Sequence, residues 1–349
     1  MPKKKGAPKK KPPLAPIKSV QMDLFSQFVT NEPSEVSNTV EFWDSIPKYF
    51  LNSEQQKKLR TAEGLAKPYK WQYIYNGAAC EVRIQPALIE QEDGRYKAFF
   101  PSGTEELVEE ALKKILADQR YAIHDPQQAE TWVRFTLRMI QKELKIRGRS
   151  RSIAEIKQAI EIMSSSILAF YRDGKEIWKG SILQDLVTVD REDYKADTNA
   201  HHIGRLPLFI SHAINSLEYR QFNYDRLMRC DDQLACWILK TKLIPRFTQA
   251  GLFETYHHMY SDLKQSGLLQ QAKERQNRAK ALTAHDELVQ RGVLASFEAQ
   301  ERKEGRKIVD VKYTLFPSME FVREQKAANK RKTNQITEAK LQGMRVVDK

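Results

Sequence analysis

Cysteine is scarce in this 349-residue chain: Cys80, Cys230 and Cys236 are all it has. So small and odd a set builds no disulfide framework and fits a reducing compartment, the cytoplasm or nucleoid. Long apolar runs are absent, so no bilayer-spanning helix and no membrane partner is expected. The lysine-rich start is followed by no apolar core or small-residue cleavage site, which argues against a secretory signal. No GxxxxGK[ST] phosphate loop occurs, so no ATPase is indicated. Cys230 and Cys236 lack a second metal pair, and the adjacent pairs His201-His202 and His257-His258 miss the usual zinc spacings. A nicking enzyme would need clustered metal-binding histidines and an accessible tyrosine nucleophile. Tyr256 and Tyr260 lie beside His257 and His258, but neighbouring histidines on a helix face different ways, which favours core or surface roles. No enzyme, catalytic residue, metal or cofactor is expected. No regular short repeat marks a solenoid.

What is present in excess is positive charge. Lys and Arg number 58 against 45 Asp and Glu, a formal net charge of +13. Such a balance favours nucleic acid or another anionic surface. Nearly all of the excess lies in the two tails, so a binding face in the nearly neutral middle must come from local clusters. With 41% hydrophobic residues, the middle can bury the cores of two ordinary domains.

Residues 1–18 hold seven lysines, five prolines and no acid. They cannot bury enough apolar surface to fold, and the expectation is a disordered basic arm over 1–40. Inside it sits a short apolar island, Gln21-Met22-Asp23-Leu24-Phe25. Leu24 and Phe25 either pack back on the first domain or meet a partner's pocket.

The first domain, 41–190 with an N-terminal extension, opens with expected strands at 70–75 and 80–84 and a turn at Asp93-Gly94. Thr104, followed by Glu105 and Glu106, reads as a helix N-cap. Leu107, Val108, Ala111, Leu112, Ile115 and Leu116 then recur at helical spacing. A second helix is expected over 131–144. A third is capped by Ser152 with Glu155 as its capping-box partner, and buries Ile153, Ile156, Ile160 and Met163. Arg172-Asp173-Gly174-Lys175 turns a hairpin with arms 166–171 and 176–189, a candidate wing.

The second domain, 191–322, begins with a polar linker and a strand at 202–206. Pro207 then starts a helix carrying Leu208, Phe209, Ile210 and Ile214. Helices are expected over 224–243 and 251–265. The latter ends at Ser266-Gly267-Leu268-Leu269, and a basic helix follows over 274–290. Arg291-Gly292-Val293-Leu294 then leads into a strand–turn–strand to 316. Helix, turn, helix, ribbon is the order of a winged-helix DNA-binding domain, and 104–190 can be read the same way. The fold class expected is α+β: tandem winged-helix domains after the disordered arm, with a basic disordered tail over 323–349.

A recognition helix needs one face for its own domain and another that offers donors to base edges and phosphates. On 274–290, Ala279, Leu282, Leu288 and Val289 are the expected packing side. Arg275, Asn277, Arg278 and Lys280 are the expected DNA side, where Arg and Asn can pair with guanine and adenine edges. Arg302, Lys303, Arg306 and Lys307 near Gly305 make the hairpin tip a basic wing. In the first domain Arg147, Arg149, Ser150 and Arg151, with Lys157 farther along the helix, are expected to meet phosphates first and bases second. That less basic helix could instead serve a protein interface. Arg220, in Tyr219-Arg220-Gln221-Phe222-Asn223-Tyr224, reads as a structural anchor.

At these residues the chain resembles a known family. Leu208-Phe209-Ile210, Tyr219-Arg220-Gln221-Phe222-Asn223-Tyr224 and Leu234-Ala235-Cys236-Trp237-Ile238 resemble the opening of the second domain of plasmid and phage replication initiators. Ser266-Gly267-Leu268-Leu269, Ala284-His285-Asp286-Glu287-Leu288 and Gly292-Val293-Leu294 continue the likeness, in the style of the broad-host-range initiator of IncP plasmids. The resemblance covers about 100–316 and implies a bacterial protein that binds double-stranded DNA at repeated origin sites called iterons. It implies local melting of an adjacent AT-rich tract, and recruitment of the host replicative helicase beside the host initiator. It also implies a homodimer through the first domain that limits copy number. Gln21, Met22, Leu24 and Phe25 look like the QLxLF pentapeptide that docks into the bacterial sliding clamp, with Met22 in place of the usual leucine. The rival reading is a winged-helix transcriptional regulator, acting on its own gene or another.

Overall fold

The structure, a computed structural model, describes residues 36–117, 121–125, 128, 130–188, 201–216, 218–245 and 254–341. The first part of the chain forms Val36–Val40 (β1), Glu41–Ser45 (α1), Ser53–Leu59 (α2), Tyr69–Tyr75 (β2), Ala78–Gln85 (β3), Ala87–Glu90 (β4) and Tyr96–Phe99 (β5). Gly103–Leu116 (α3), Ala122–Asp125 (β6), Glu130–Phe135 (β7), Leu137–Ile146 (α4) and Ile153–Ser165 (α5) come next. Ile167–Arg172 (β8), Lys175–Gly180 (β9), Gln184–Thr188 (β10) and His202–Arg205 (β11) follow. The rest comprises Leu208–Asn215 (α6), Tyr219–Asn223 (β12), Tyr224–Met228 (α7) and Gln233–Ile238 (α8), which a π-turn over Leu239–Leu243 extends. Tyr256–Met259 (β13), Tyr260–Lys264 (α9), Glu274–Gln290 (α10), Leu294–Glu304 (β14), Lys307–Pro317 (β15) and Met319–Leu341 (α11) complete it. The architecture is α+β. Its sheets run β2-β3-β8-β9, β10-β11-β7-β6 and β13-β15-β14, with the pairs β4-β5 and β1-β12.

Several elements follow directly from local chemistry. Ser152 caps α5 and Glu155 answers in a reciprocal capping box. In α3 the cap is Ser102, two residues earlier than expected, with Glu105 as its partner; Val108, Ala111, Leu112 and Leu116 form the buried stripe. The strands at β2 and β3 and the Asp93-Gly94 turn stand where the sequence put them. Elsewhere the chain departs from the reading. Within 131–144, Thr131, Val133 and Phe135 alternate buried with outward neighbours, a period of two, so this stretch is strand until Thr136 caps α4. The expected helix over 224–243 breaks at Cys230-Asp231-Asp232, because the Asp232 carboxylate accepts from Leu234 and Ala235 and starts α8 anew. The helix expected up to 265 is strand β13 followed by one turn, α9.

Four findings concern organisation. The candidate wing of the first domain is not a free ribbon: β8 lies between β3 and β9, and the second arm ends at Gly180, after which β10 joins another sheet. The strand at His202–Arg205, expected to open the second domain, pairs with β7 and β10. The arm expected to be disordered over 1–40 ends instead in β1, which pairs along its length with β12, while residues 1–35 lie outside the described residues. Beyond Phe321, where a disordered tail is expected, the chain forms α11, with Phe321, Val322, Gln325 and Ala328 buried.

One hydrophobic core runs through both halves, from Trp43 and Phe100 to Tyr224, Leu288 and Leu315. At its centre lies a buried, charge-balanced group: Asp44, Glu109 and Glu110 with Lys48, Lys113 and Lys240. Lys240 Nζ stands 2.9 Å from Glu110 and Lys113 Nζ 2.5 Å from Asp44, while the Tyr49 hydroxyl donates to Glu109 at 2.6 Å. Burial alone would raise the Asp44 carboxyl, but Lys113, Lys240 and Lys48 together hold it well below the usual carboxylate range.

Candidate nucleic-acid interface

From α8 onward the described chain runs helix, strand β13, helix α9, helix α10, strand β14, turn, strand β15, and its sheet is ordered β13-β15-β14. That order matches the winged-helix arrangement, with α10 in the recognition position and the β14-β15 hairpin as wing. Ala281, Ala284, His285 and Leu288, three and four apart, are buried and dock α10 on the unit. His285 Nδ1 lies 2.7 Å from the Ala281 carbonyl and so must carry a proton there; its Nε2 then accepts, 2.9 Å away, from His258 Nε2 on β13. The His285 ring stacks on Tyr313 of β15 at 4.3 Å between centroids. One side chain thus ties α10, β13 and β15 together. Burial pushes His285 down to about 4, and burial followed by the His285 neighbour pushes His258 well below its usual range. The wing is also held by Asp310, which accepts from the backbone N–H and hydroxyl of Ser261 at the start of α9.

The register of α10 differs from the one read in the sequence. Ala279 is exposed and Leu282 is 39% exposed, so the outward face is Arg275, Gln276, Ala279, Leu282, Thr283 and Asp286. Asn277 is 3% exposed and does not present an edge to bases. Its Oδ1 accepts from the Gln271 N–H at 2.8 Å and its Nδ2 donates to the Gln271 carbonyl at 3.1 Å, which closes the loop ahead of the helix. Lys280 does similar work, since its Nζ donates to the Leu268 carbonyl at 3.1 Å. Arg275 is exposed, and Arg278 is half-buried. The electropositive N-terminal half of α10 therefore offers Arg275 and Arg278, with Gln276 as an amide donor and acceptor, while Ala279 and Leu282 offer apolar contact of the kind a thymine methyl accepts.

At the wing tip Glu304 pairs with Lys307 across a two-residue loop, Gly305-Arg306. Gly305 has φ +60°, the conformation such a tight hairpin needs at its first loop position. Arg302, Lys303, Arg306 and Lys307 are all exposed. Lys303 meets Glu301 at 2.8 Å; the other three make no ion pair among the described residues. The hairpin tip is an exposed cationic cluster on a two-stranded ribbon.

The first-domain set divides. Arg147 has a side chain only 5% exposed, ion-paired with Glu143 at 2.7 Å and Asp225 at 2.9 Å, and it lies over the Tyr224 ring. Arg149 reaches Asp231 at 2.8 Å and the Cys230 carbonyl. These two fasten the end of α4 to the α7–α8 corner, so they act between protein parts and not as free phosphate contacts. Arg151 reaches the Thr104 hydroxyl at 3.4 Å. Ser150 and Lys157 are exposed, but the outward positions of α5 also include Glu155 and Glu161, which makes that face a poor match for phosphate. Gln21, Met22, Leu24 and Phe25 lie outside the described residues.

Sequence reasoning missed the His258–His285 bond, since residues 27 apart carry no joint signal, and it missed the buried ionic group around Asp44. It did identify Arg220 as an anchor: its Nη2 donates to Gln325 at 2.9 Å and Asn329 at 2.6 Å on α11. Among the described residues no cluster of His, Cys, Asp or Glu could hold a metal ion, and no helix is long and apolar enough to cross a membrane.

A family model described as the regulator of G protein signaling domain matches residues 17–122. That stretch is a minority of the chain, and its described part holds β1–β5 and α1–α3. No curated protein matches. Among solved structures, domains 2 and 3 of RctB align at 11% identity and TM-score 0.46, covering 75% of this chain and 95% of that one. A second RctB domain 2-3 structure aligns at 12% and 0.43, covering 77% and 97%. The Pi initiator protein in complex with iteron DNA aligns at 12% and 0.35, covering 83% and 100%.

Proposed function

We propose that this protein is a non-catalytic replication initiator that grips double-stranded DNA at repeated origin sites. One observation carries the reading: the N-terminal half of α10, with exposed Arg275 and half-buried Arg278, precedes a hairpin tipped by exposed Arg302, Lys303, Arg306 and Lys307 in the order of a winged helix. The helix would enter the major groove and the wing would follow the backbone or minor groove. Local melting of an AT-rich neighbour would draw on contact energy and on the low cost of deforming such sequence. The two-domain division at about 190 belongs to this proposal, as do a homodimer through the first domain that limits copy number, docking on the sliding clamp through 21–25, and recruitment of the host helicase and host initiator. A place with plasmid or nucleoid DNA in the cytoplasm follows from it.

The test is a footprint on the DNA flanking the protein's own gene. Directly repeated sites next to an AT-rich tract, protected by wild type and lost with Arg275→Ala and Arg306→Ala together, are the expected result. Paired inverted operator sites with no such tract would make the protein a transcriptional regulator instead. Protection unchanged in the double variant would remove α10 and the wing from the interface.

A further inference from the structure

Helix α11 sorts its charges by face. Glu320 and Glu324 both reach Arg226 Nη2, at 3.0 and 2.9 Å, and Arg226 is only 7% exposed. Gln325 and Asn329 take the Arg220 guanidinium, and Phe321, Val322 and Ala328 are buried. The opposite side carries Arg323, Lys326 and Lys330, all exposed, and none has an ion pair or hydrogen bond among the described residues. At 3.6 residues per turn these three fall within about 60° of arc and span about 10 Å of axis. Thr333, Asn334 and Thr337 continue the same stripe, so neither a carboxylate nor a large apolar side chain interrupts it. A helix built for solubility alone would mix both signs over its outer surface; here Glu320 and Glu324 reach Arg226, and the charges on the stripe from Arg323 to Thr337 are all cationic.

The stripe is also rigidly placed. Ser318, just before the helix, donates its hydroxyl to the Gly292 carbonyl at 2.6 Å and its N–H to the Val293 carbonyl at 3.0 Å. The helix therefore starts against the segment that leaves the recognition helix.

We propose that the Arg323–Lys326–Lys330 face of α11 is a second duplex-binding surface, one that holds DNA phosphates without reading bases. It rests on the second unit being a duplex binder. Three exposed cations along one helix face fit the polyanion, which carries one charge per about 1.7 Å of axis, and each phosphate they neutralise releases counterions. The face adds grip and register outside the groove contacted by α10, and sequence preference stays with α10.

The experiment uses the full chain and a mixed-sequence duplex, with affinity measured across a salt series. Arg323→Gln, Lys326→Gln and Lys330→Gln combined keep good helix formers in place. The slope of log affinity against log salt should become shallower by about 2–3, at about 0.9 per lost phosphate contact. An Arg323→Lys variant, which keeps the charge, should retain the wild-type slope. In a parallel arm, Arg302, Arg306 and Lys307 are changed to Gln. If that wing variant loses affinity while the α11 variant keeps the wild-type slope, the inference is overturned and the duplex-binding reading stands. If both keep the wild-type slope, both fall. Vesicles of anionic phospholipid form the last arm: binding that depends on the stripe, with an unaltered DNA slope, would assign the face to a membrane surface and overturn the proposal.

Discussion

His258 and His285 face each other Nε2 to Nε2 at 2.9 Å, buried, and His285, whose Nε2 accepts, must be neutral for the contact to hold. His285 is pushed down to about 4 in the folded chain against an ordinary value of 6.5. A base whose folded value is depressed takes up more protons when unfolded, so its stabilising effect is complete at neutral pH and is lost as pH falls from about 6.5 towards 4. Urea denaturation at a series of pH values should show stability falling across that window, by roughly 3 kcal/mol for this group alone at about 1.4 kcal/mol per unit. The decline should be smaller in His285→Phe. An equal decline in that variant would show that other groups govern acid sensitivity.

Asn277 separates a positioning role from a reading role. Asn277→Ala removes both bonds to Gln271 and leaves that backbone pair unsatisfied, which should cost about 1–3 kcal/mol. The ratio of specific to random-duplex affinity should stay near wild type when both are measured well below the unfolding transition. A collapse of that ratio with unchanged stability would return Asn277 to the base-contacting set.

Gly267 has φ +74°, and a Cβ placed there would lie 2.7 Å from Cγ of Phe50. Gly267→Ala should therefore lose about 1–2 kcal/mol from the left-handed backbone alone, with a further steric cost against the ring. Combining it with Phe50→Leu should recover the steric part more than the backbone part. Thermal unfolding of the two variants and the double mutant measures the split.

Lys240 belongs to the second half of the chain, yet its charge is met by Glu106 at 3.3 Å and Glu110 at 2.9 Å on α3. Lys240→Met leaves buried carboxylates without their counter-charge and should cost about 3–5 kcal/mol. Adding Glu110→Gln should restore part of the loss, because the pair is worth far less than either orphan. Urea midpoints of the single and double variants decide this.

For residues 21–25 the expected outcome concerns partners. Leu24→Ala with Phe25→Ala should abolish capture by the bacterial sliding clamp and leave DNA affinity as it was, since two apolar anchors would dominate so short a motif. Clamp capture at wild-type level in the double variant removes the assignment.

Local chemistry was legible where a few adjacent residues decide the outcome. The Ser152–Glu155 capping box, the Asp93-Gly94 turn and the Gly305 hairpin are of this kind. So was the helix over 274–290. Its facing was not, because α10 has alanines on both sides: Ala281 and Ala284 pack inward while Ala279 faces out. Small residues carry little periodic signal, and the choice was made by His258 and Tyr313, which arrive from distant strands. Arg149 reads as a free cation because its counter-charge, Asp231, lies about eighty residues away, as does Asp225, which joins the nearby Glu143 in burying Arg147. Over 323–341 the disordered-tail expectation rests on polar composition and misses that Arg220 and Arg226 supply partners for Glu320, Glu324, Gln325 and Asn329; 342–349 lie outside the described residues.

The strand exchange has a consequence for dissecting the molecule. Among the described residues β1 pairs with β12, and β11 with β7 and β10. A cut between residues 188 and 202 would leave each piece holding a strand that belongs to the other's sheet. Separately expressed halves would each carry a raw edge, while halves made together could clasp into something close to the intact shape.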